Sequence, residues 1–286
     1  YTENNPRHPD DPDGATTIPE KPGTAPPLIC PVGDKVIYAV PGVPYEMRMM
    51  LRGTVIPDLQ RRAGMTAVIR SRVLRTWGQS ESGLAEMLAE RIEALDRSGE
   101  ATLAFQASGA EGLKVRITAK AADQSAAEAV IQAEEHRVRE ILGSYVFGVD
   151  DQTMESVVLD LLRSQGRTLA VAESLTGGLV GARLAAIAGA SEVFRGSIVA
   201  YASDVKFELL GVPPGPVVSE AAAKAMADGV RRLLRTDVGL AVTGVAGPAE
   251  QENQPVGTVY LGLSMDGTKE GRWARMPGDR NRIREY

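Results

Sequence analysis

The sequence is poor in the residues that build redox centres, metal sites and histidine-based catalysis. It has one cysteine, Cys30, and two histidines, His8 and His136, in 286 residues. One cysteine excludes a disulfide or a cysteine metal site within a single chain, and we predict no metal site. His8 stands in a Pro/Asp-rich opening and His136 on the polar side of a predicted helix, so both are expected to be solvated. A Ser-His-Asp triad would need one of them beside the serine, so another base is favoured.

Long apolar runs and an excess of positive charge are also absent. No apolar run reaches the length of a membrane span and no signal peptide is recognisable, so we expect a cytoplasmic protein without a membrane partner. The net charge of −5 provides no general attraction for nucleic acid. With 43% hydrophobic and 24% charged residues, the composition is typical of a globular protein. Because the chain starts at Tyr1 without Met and stops at Tyr286 inside a helical pattern, we expect a fragment.

Changes in the hydrophobic pattern divide the chain into three parts. Residues 1–63 combine an opening of irregular chain, through residue 28, with one strand and one helix, which is too little for a stable domain. We interpret this part as the end of a larger α/β domain. Residues 64–150 have the order β-α-β-β-α, which predicts a small α+β domain. Residues 151–286 alternate helices with strands, which predicts a three-layer α/β/α sandwich.

The hairpin predicted from Ala101–Phe105 and Leu113–Thr118 encloses the loop Gly109–Gly112, whose glycine spacing matches that of KH nucleic-acid modules. In those modules the loop joins two helices and is usually basic, whereas this one joins two strands and carries Glu111. A β-turn is the preferred interpretation, and direct nucleic-acid binding is not expected.

The most informative stretch is Leu169–Gly178, where a strand of small and apolar residues runs into a polar turn with two glycines. The next residues, 179–187, have the spacing of a helix with one buried face. A tight turn followed by a helix start brings backbone N–H groups together, where they favour negative charge. Ser174 and Thr176 either cap this helix or carry chemistry.

Two further strands end in polar or glycine-rich turns, after Tyr201 and after Val242, and the carboxyl ends of strands form the usual binding edge of such sheets. Lys206 can serve as the base for a serine if desolvation lowers its pKa; otherwise it is an ordinary surface charge. Tyr201 can relay or orient the proton, and glycine N–H groups can hold an oxyanion or a phosphate. The candidate residues are four hydroxyls (Ser174, Thr176, Tyr201, Thr243), one lysine (Lys206) and four glycines (Gly177, Gly178, Gly244, Gly247).

These segments together resemble the CinA family of competence- and damage-inducible proteins. The residues that carry the resemblance follow the family's order over residues 152–286: Ala172–Gly178, Gly196…Tyr201…Lys206…Leu210-Gly211-Val212, Val218-Ser219-Glu220, Thr243–Pro248 and Pro255–Val259. In that family the C-terminal domain is a nicotinamide-nucleotide amidase, which converts nicotinamide mononucleotide to nicotinate mononucleotide and ammonia.

The resemblance implies specific roles for the candidate residues. Ser174 would be the nucleophile, with Thr176 as the alternative, Lys206 its base and Tyr201 an assistant. We assign substrate binding to six residues: Glu173, Gly177, Gly178, Thr243, Gly244 and Gly247. The expected partner is a small pyridine nucleotide, the amidase is expected to need no cofactor, and the protein is expected to be a homodimer.

The resemblance extends toward the N-terminus. Gly14-Ala15-Thr16, Pro22–Pro26 and Pro41–Met47 are similar to the closing part of the family's molybdopterin-cofactor-binding-like domain. The resemblance thus identifies residues 1–63 as the C-terminal part of that domain, 64–150 as a KH-like domain and 151–286 as the amidase domain.

This chain departs from the family at two places. The glycine- and aspartate-rich motif of a complete first domain is absent, which argues against the metal-dependent ADP-ribose pyrophosphatase activity of some members; a divalent metal would belong to the complete domain. Residues 249–254 stand where members of the family usually carry glycines and a basic residue, so we expect weaker phosphate binding there.

Two other functions stay open. The first is a nucleotide pyrophosphatase or nucleotide-binding protein that works through the N-terminal domain, with a catalytically silent C-terminal domain. The second is a non-enzymatic module in DNA uptake or recombination, as the family name suggests. Ammonia release from nicotinamide mononucleotide distinguishes the amidase from both.

Overall fold

The computed structural model describes residues 12–18, 27–64 and 67–286. His8, the segment Pro22–Pro26 and Thr66, on which some of the predictions rest, lie outside the described residues. No helix in these ranges is both long and apolar enough to cross a membrane.

The chain divides into two compact units. The first comprises residues 1–69 and 120–127, and the second comprises residues 70–119 and 128–286.

The first unit has a small antiparallel sheet and two short helices. Its elements are β1 (Thr16–Thr17), β2 (Leu28–Val32), β3 (Lys35–Ala39), α1 (Pro44–Met50) and α2 (Ile56–Arg62). Ile18, Met50 and Val55 form its buried core. The strand at Lys35 and the helix that starts before Tyr45 were predicted and are confirmed.

The prediction of irregular chain through residue 28 is wrong at β1. Thr16 pairs with Ile29 and Thr17 with Leu28, so β1 exists only through its partner strand. A two-residue strand has no hydrophobic period of its own, and the local sequence therefore does not reveal it.

A four-stranded α+β region lies mostly within the second unit. Its elements are β4 (Val68–Thr76), α3 (Glu81–Met87), α4 (Ala89–Ser98), β5 (Ala101–Ala107), β6 (Leu113–Ala121), α5 (Gln124–Leu142) and β7 (Val146–Val149). The strand order is β5-β6-β4-β7. Leu74, Leu84, Ile117 and Ile131 are among its buried core residues. The predicted order β-α-β-β-α is confirmed, and the structure adds the helix α4 and the strand β7.

The loop between β5 and β6 folds into a single tight turn at Gly109–Glu111. The Glu111 carboxylate pairs with Arg75 of β4 at 2.8 Å. At Gly112, a Cβ atom would overlap the carbonyl oxygen of Thr76. The loop therefore packs against β4, as a turn between two strands, which is how the sequence was interpreted.

The C-terminal part of the second unit is built around a five-stranded sheet. Its elements are α6 (Met154–Ser164), β8 (Leu169–Glu173), α7 (Leu179–Ala185), β9 (Phe194–Val199), α8 (Ser203–Leu210), α9 (Glu220–Leu234), β10 (Val238–Gly244), β11 (Thr258–Met265), β12 (Thr268–Arg275) and α10 (Arg280–Glu285). The strand order is β12-β11-β10-β8-β9. The strands β9, β8 and β10 are parallel, and β11 and β12 are antiparallel additions.

Both faces of this sheet are covered by helices, because side chains on a strand alternate between its faces. Ala170 and Ala172 of β8 pack in one buried cluster with residues of α8 and α9. Leu169 and Val171 pack on the other side, in a cluster with residues of α6 and α7. The predicted three-layer α/β/α sandwich is confirmed.

The edge strand β12 was not predicted. Its residues, Thr268 to Arg275, are polar and largely exposed, so they show no buried face in the sequence. The signal that could have located it is the dipeptide Asp266-Gly267, where both residues have positive φ values of 52° and 77°. Such a pair is typical of a two-residue hairpin turn, here between β11 and β12.

Helix α9 approaches strands β10, β11 and β12 closely at three glycines. At Gly239 of β10 and Gly262 of β11, a Cβ atom would overlap the carbonyl oxygens of Ala227 and Ala223 on α9. At Gly271 of β12, it would overlap the side chain of Glu220. Glycine on three neighbouring strands thus allows the backbone of α9 to approach the sheet.

Candidate active site

The loops after β8, β9 and β10 meet at one edge of the sheet. In the parallel pairing Glu173 lies beside Val199 on β9 and beside Val242 on β10. Neighbouring strands are about 4.8 Å apart, so the residues that follow these three begin their loops side by side. The structure therefore brings together the beginnings of the three loops that carry Ser174, Tyr201 and Thr243.

Ser174 starts a tight turn whose backbone is fixed by two hydrogen bonds. Its N–H donates to the Val242 carbonyl at 2.9 Å, and its own carbonyl accepts from the Gly177 N–H at 3.0 Å. Gly177 and Gly178 have φ values of 62° and 99°, which L-residues with a side chain adopt at a cost. The Ser174 side chain is nearly buried, with the residue 8% exposed.

Glu173 is the cap of helix α7. Its carboxylate accepts hydrogen bonds from the N–H groups of Gly178 (2.9 Å), Val180 (3.1 Å) and Gly181 (2.8 Å). The Ser197 hydroxyl donates to the same carboxylate at 2.7 Å. Glu173 is fully buried and bound by four donors of its own chain, which is a structural role.

The hydrogen bonds of this turn bear on four other predicted site residues. The Gly178 N–H donates to Glu173 and the Gly177 N–H donates to Ser174. Neither N–H group is therefore free to bind an anion, which is the role predicted for these two glycines. The alternative that Ser174 or Thr176 caps α7 is wrong, because the capping group is the Glu173 carboxylate. The sequence analysis missed Ser197 as the partner of Glu173.

Two other backbone donors lie in the turn after Ser174. The N–H groups of Leu175 and Thr176 have no acceptor among the described residues. Arg284 on α10 donates to the carbonyls of both residues, at 3.1 Å and 3.0 Å. In a trans peptide the N–H points away from the carbonyl of the preceding residue, so the Thr176 N–H is directed away from Arg284. These two N–H groups are the donors next to Ser174 that have no acceptor within the described part of the chain.

Lys206 is the buried basic side chain of the site. It lies on α8 and is 1% exposed, and its Nζ atom donates to the carbonyls of Tyr201 at 3.0 Å and Ala202 at 3.4 Å. Burial lowers the pKa of the Lys206 ammonium group, while the Glu252 and Asp204 carboxylates act in the opposite direction. The interpretation of Lys206 as an ordinary surface charge is wrong. A lowered pKa is what a general base requires.

Tyr201 is exposed at the rim of the site and is linked to a residue that the sequence analysis did not select. Arg280, at the start of α10, donates to the Tyr201 hydroxyl and to the Gly247 carbonyl, the latter at 2.6 Å. Arg280 thus connects the loops that follow β9 and β10. The available signal was the pair Asp279-Arg280, in which Asp279 caps a helix start and fixes the position of the arginine.

The third loop is shaped by close packing. The Thr243 hydroxyl donates to the Val217 carbonyl at 2.8 Å and is buried. At Gly244, a Cβ atom would overlap the Thr258 carbonyl, and at Gly247 it would lie 2.8 Å from Val256. All three residues have structural partners, and substrate binding by them stays a prediction.

Thr176 lies on the wall of a separate cavity of about 430 Å³. The cavity is lined mainly by apolar side chains of the sheet, α6, α7 and α10, and Ser174, Tyr201 and Lys206 are not among its lining residues. Thr176 is 7% exposed, and its hydroxyl has no hydrogen-bond partner among the described residues. The two candidate nucleophiles therefore differ in surroundings, and only Ser174 is separate from this cavity.

Comparison with known proteins identifies the family. The family models described as CinA C-terminal domain and damage-inducible protein CinA KH domain match residues 151–286 and 71–148. A CinA-like protein of Dictyoglomus turgidum is 40% identical over 281 residues, which cover 96% of this chain and 67% of that protein. The chain belongs to the CinA family. The family identified from the sequence motifs is confirmed.

Other CinA relatives are longer than this chain. A CinA-like protein of Frankia casuarinae is 50% identical over 98% of this chain and 66% of its own length. One of Synechococcus sp. is 46% identical over 88% of this chain and 61% of its own length. The chain thus spans slightly less than two thirds of the length of these curated relatives. The solved competence-damaged protein (CinA) superfamily protein from Escherichia coli is 27% identical, with a TM-score of 0.45 over 46% of this chain and 80% of that chain. These names specify a family and no reaction.

Proposed function

We propose that residues 151–286 form a nicotinamide-nucleotide amidase that hydrolyses nicotinamide mononucleotide to nicotinate mononucleotide and ammonia. The observation that carries the proposal is the buried Lys206, whose pKa is lowered by burial, on helix α8, which follows strand β9, the neighbour of the strand that ends just before Ser174. A lowered pKa favours the deprotonated amine, and it is the deprotonated amine that can accept the proton of a serine hydroxyl. The CinA family membership supports the same type of reaction.

The first half of the proposed reaction forms an acyl-enzyme. The Ser174 hydroxyl gives its proton to the neutral Lys206 amine while its Oγ bonds to the carboxamide carbon. The oxyanion accepts hydrogen bonds from the N–H groups of Leu175 and Thr176. The C–N bond then breaks, the proton passes from Lys206 to the leaving nitrogen, and ammonia departs.

The second half releases the acid. Water gives a proton to Lys206 and attacks the ester carbon, the bond to Ser174 Oγ breaks, and the proton returns to the serine. Among the described residues the Lys206 Nζ atom donates to two backbone carbonyls and not to Ser174. Catalytic hydrogen bonds often close only when substrate is bound, and the proposal requires that closure here.

Arg280 supplies the charge that a mononucleotide needs. Its guanidinium lies between Tyr201 and Gly247 at the rim, where it can pair with the substrate phosphate. Arg280 thus supplies a positive charge at the rim of the site, which residues 249–254 do not, since none of them is basic. Neither step uses a metal ion, so chelation with EDTA is expected to leave the rate unchanged.

The decisive measurement is ammonia release from nicotinamide mononucleotide, NAD and nicotinamide, with and without EDTA. We expect ammonia from the mononucleotide alone. A parallel arm with ADP-ribose and a divalent metal tests the pyrophosphatase alternative. Folded protein that releases no ammonia from any of the three would refute the amidase, and cleavage of ADP-ribose alone would support that alternative.

A further inference from the structure

Arg284 on α10 is bonded to the turn that follows Ser174. Its Nε atom donates to the Leu175 carbonyl at 3.1 Å, and its Nη2 atom donates to the Thr176 carbonyl at 3.0 Å. The bonded residues are 109 and 108 positions apart in the chain. The contact therefore arises from the packing of α10 beside the site and not from local sequence.

The guanidinium group of Arg284 is committed to these two carbonyls. The side chain is half-buried, and it forms no ion pair with a carboxylate among the described residues. A guanidinium presents its N–H donors in a fixed planar fork, which here meets two successive carbonyl groups. The positive charge of Arg284 is thus directed at the backbone of the turn.

Ile283, the residue before Arg284, packs α10 against the same turn. It is 2% exposed and lies in a buried cluster with Leu175, Val242 and Val259. Leu175 is therefore held by α10 in two ways, through its side chain by packing and through its carbonyl by hydrogen bonding. Arg284 projects from backbone that is fixed against the residue it binds.

The two N–H groups of the turn that have no acceptor among the described residues are oriented by different partners. The Leu175 N–H shares a peptide group with the Ser174 carbonyl, which accepts from the Gly177 N–H at 3.0 Å. The turn itself therefore fixes that peptide. The Thr176 N–H shares a peptide group with the Leu175 carbonyl, whose partner is Arg284. Because the peptide group is planar and trans, a bond that fixes its carbonyl also fixes the direction of its N–H.

We propose that Arg284 is a positioning residue of this site, which holds the peptide between Leu175 and Thr176 so that the Thr176 N–H faces the oxyanion formed on the substrate. The inference rests on the proposed function in one respect, namely that the turn after Ser174 binds the oxyanion. A charged donor on the carbonyl also polarises the peptide group, which makes its N–H a stronger donor. The oxyanion exists only around the tetrahedral intermediate, so loss of Arg284 lowers kcat and leaves KM in place.

The test compares Arg284→Ala and Arg284→Lys with Arg282→Ala. Arg282 lies on the same helix, and its side chain bonds to Tyr286. We expect Arg284→Ala to lower kcat for nicotinamide mononucleotide by about 10- to 100-fold, since loss of an oxyanion donor costs about 10²–10³ and a misdirected donor retains part of its effect. Arg284→Lys should fall between Arg284→Ala and the parent, because an ammonium lacks the planar fork. Arg282→Ala should keep both kcat and KM.

Added guanidinium ion, well below the concentration that unfolds the protein, should restore part of kcat in Arg284→Ala and have no such effect on Arg282→Ala. Circular dichroism at the assay temperature shows whether each variant is folded, and Arg284→Lys decides by the same ratio if Arg284→Ala is not. The inference is overturned by an unchanged kcat, by a loss that Arg282→Ala shares, or by a KM that rises as much as kcat falls.

A second readout does not depend on amidase activity. The order parameters of the Leu175 and Thr176 amides are measured by 15N relaxation, in which a rigid backbone gives about 0.85 and a flexible one less than about 0.6. We expect the Thr176 value to fall in Arg284→Ala, while the Leu175 value stays high because the turn holds its peptide. Both values should stay high in Arg282→Ala. If the parent releases no ammonia, the proposed function fails and this comparison alone decides: an unchanged Thr176 order parameter in Arg284→Ala means that Arg284 does not orient the peptide.

Discussion

The Ser197 hydroxyl donates to the Glu173 carboxylate across the parallel strands β9 and β8. The same carboxylate holds the first turn of α7. One buried side chain therefore fixes the strand end, the neighbouring strand and the helix that together position Ser174. This arrangement leads to the first prediction.

Glu173→Gln should destabilise the fold. The substitution removes the charge from hydrogen bonds that are buried and places an NH2 group against N–H donors. We expect a loss of about 2–3 kcal/mol in the free energy of unfolding, measured in urea. Ser197→Ala removes only one of the four donors and should cost about 1 kcal/mol. A loss in Glu173→Gln no larger than in Ser197→Ala would contradict the capping role.

Ser174→Ala should abolish ammonia release and retain the fold. Loss of a serine nucleophile typically lowers kcat by about 10³-fold or more. Thr176→Ala should have a much smaller effect, because that hydroxyl lines the separate cavity. Both variants are compared with the parent by kcat and by circular dichroism. Near-normal turnover in Ser174→Ala together with loss in Thr176→Ala would reverse the assignment.

Lys206→Arg should be nearly as inactive as Lys206→Ala, because a guanidinium does not release its proton near neutral pH. The parent rate should rise with pH through the pKa of Lys206, which burial lowers from the ordinary 10.5. An arginine variant with substantial activity would show that Lys206 supplies charge to the phosphate and is not the base.

Lys206→Met should also stabilise the protein by about 1 kcal/mol at any pH below the lowered pKa of Lys206, since it removes a buried cation. The sign follows from the lowered pKa. Below that pKa the lysine is charged in both states and its burial costs stability. Between the lowered pKa and 10.5 the unfolded chain binds the additional proton, so the parent gains stability as pH rises. The difference between parent and Lys206→Met should therefore shrink with increasing pH, as measured by urea unfolding from pH 7 to 10.

Arg280→Ala should raise KM for nicotinamide mononucleotide by about 10-fold, because it removes a charge-assisted contact at the rim. Arg282→Ala is the matched control, since the Arg282 side chain bonds to Tyr286, just after α10, and makes no hydrogen bond to either site loop among the described residues. The effect of Arg280→Ala should be smaller for nicotinamide riboside, which lacks the phosphate, if that substrate is turned over. An equal rise in KM for both variants would argue against a specific role for Arg280.

The sequence predicted the sandwich and the three converging loops because both features depend on the local pattern of hydrophobic residues and glycines. Strand β8 is uniformly small and apolar, and Gly177-Gly178 marks the turn that follows it. The partners of the site residues were not predictable in the same way. The bond from Ser197 to Glu173 and the bond from Arg280 to Tyr201 arise from packing between segments 24 and 79 residues apart. The domain boundaries and the catalytic roles stay predictions.

Two of the predicted site roles meet the same local hydrogen bonds, and substrate binding by these residues stays a prediction. Glu173 was expected to bind substrate, and the glycines after it were expected to supply free N–H groups. A carboxylate one residue before a turn that starts a helix can itself accept hydrogen bonds from the backbone N–H groups of that turn. Whether it does so depends on whether the side chain folds back toward those N–H groups. Strand β12 was not predicted because a polar edge strand shows no hydrophobic alternation of its own. Such a strand is recognised by its partner strand and by the hairpin turn that joins the two.

The close approach of α9 to the sheet limits how this protein can be made more stable. Replacing glycine by alanine stabilises many proteins because it stiffens the unfolded chain. Gly239, Gly262 and Gly271 have ordinary backbone angles and would look suitable on that criterion. Alanine at Gly239 or Gly262 would push the α9 backbone away from the strands, and alanine at Gly271 would displace the side chains of Glu220 and Lys224. A consensus or entropy-based redesign must therefore leave these three positions unchanged and seek its gains on the outer faces of the helices.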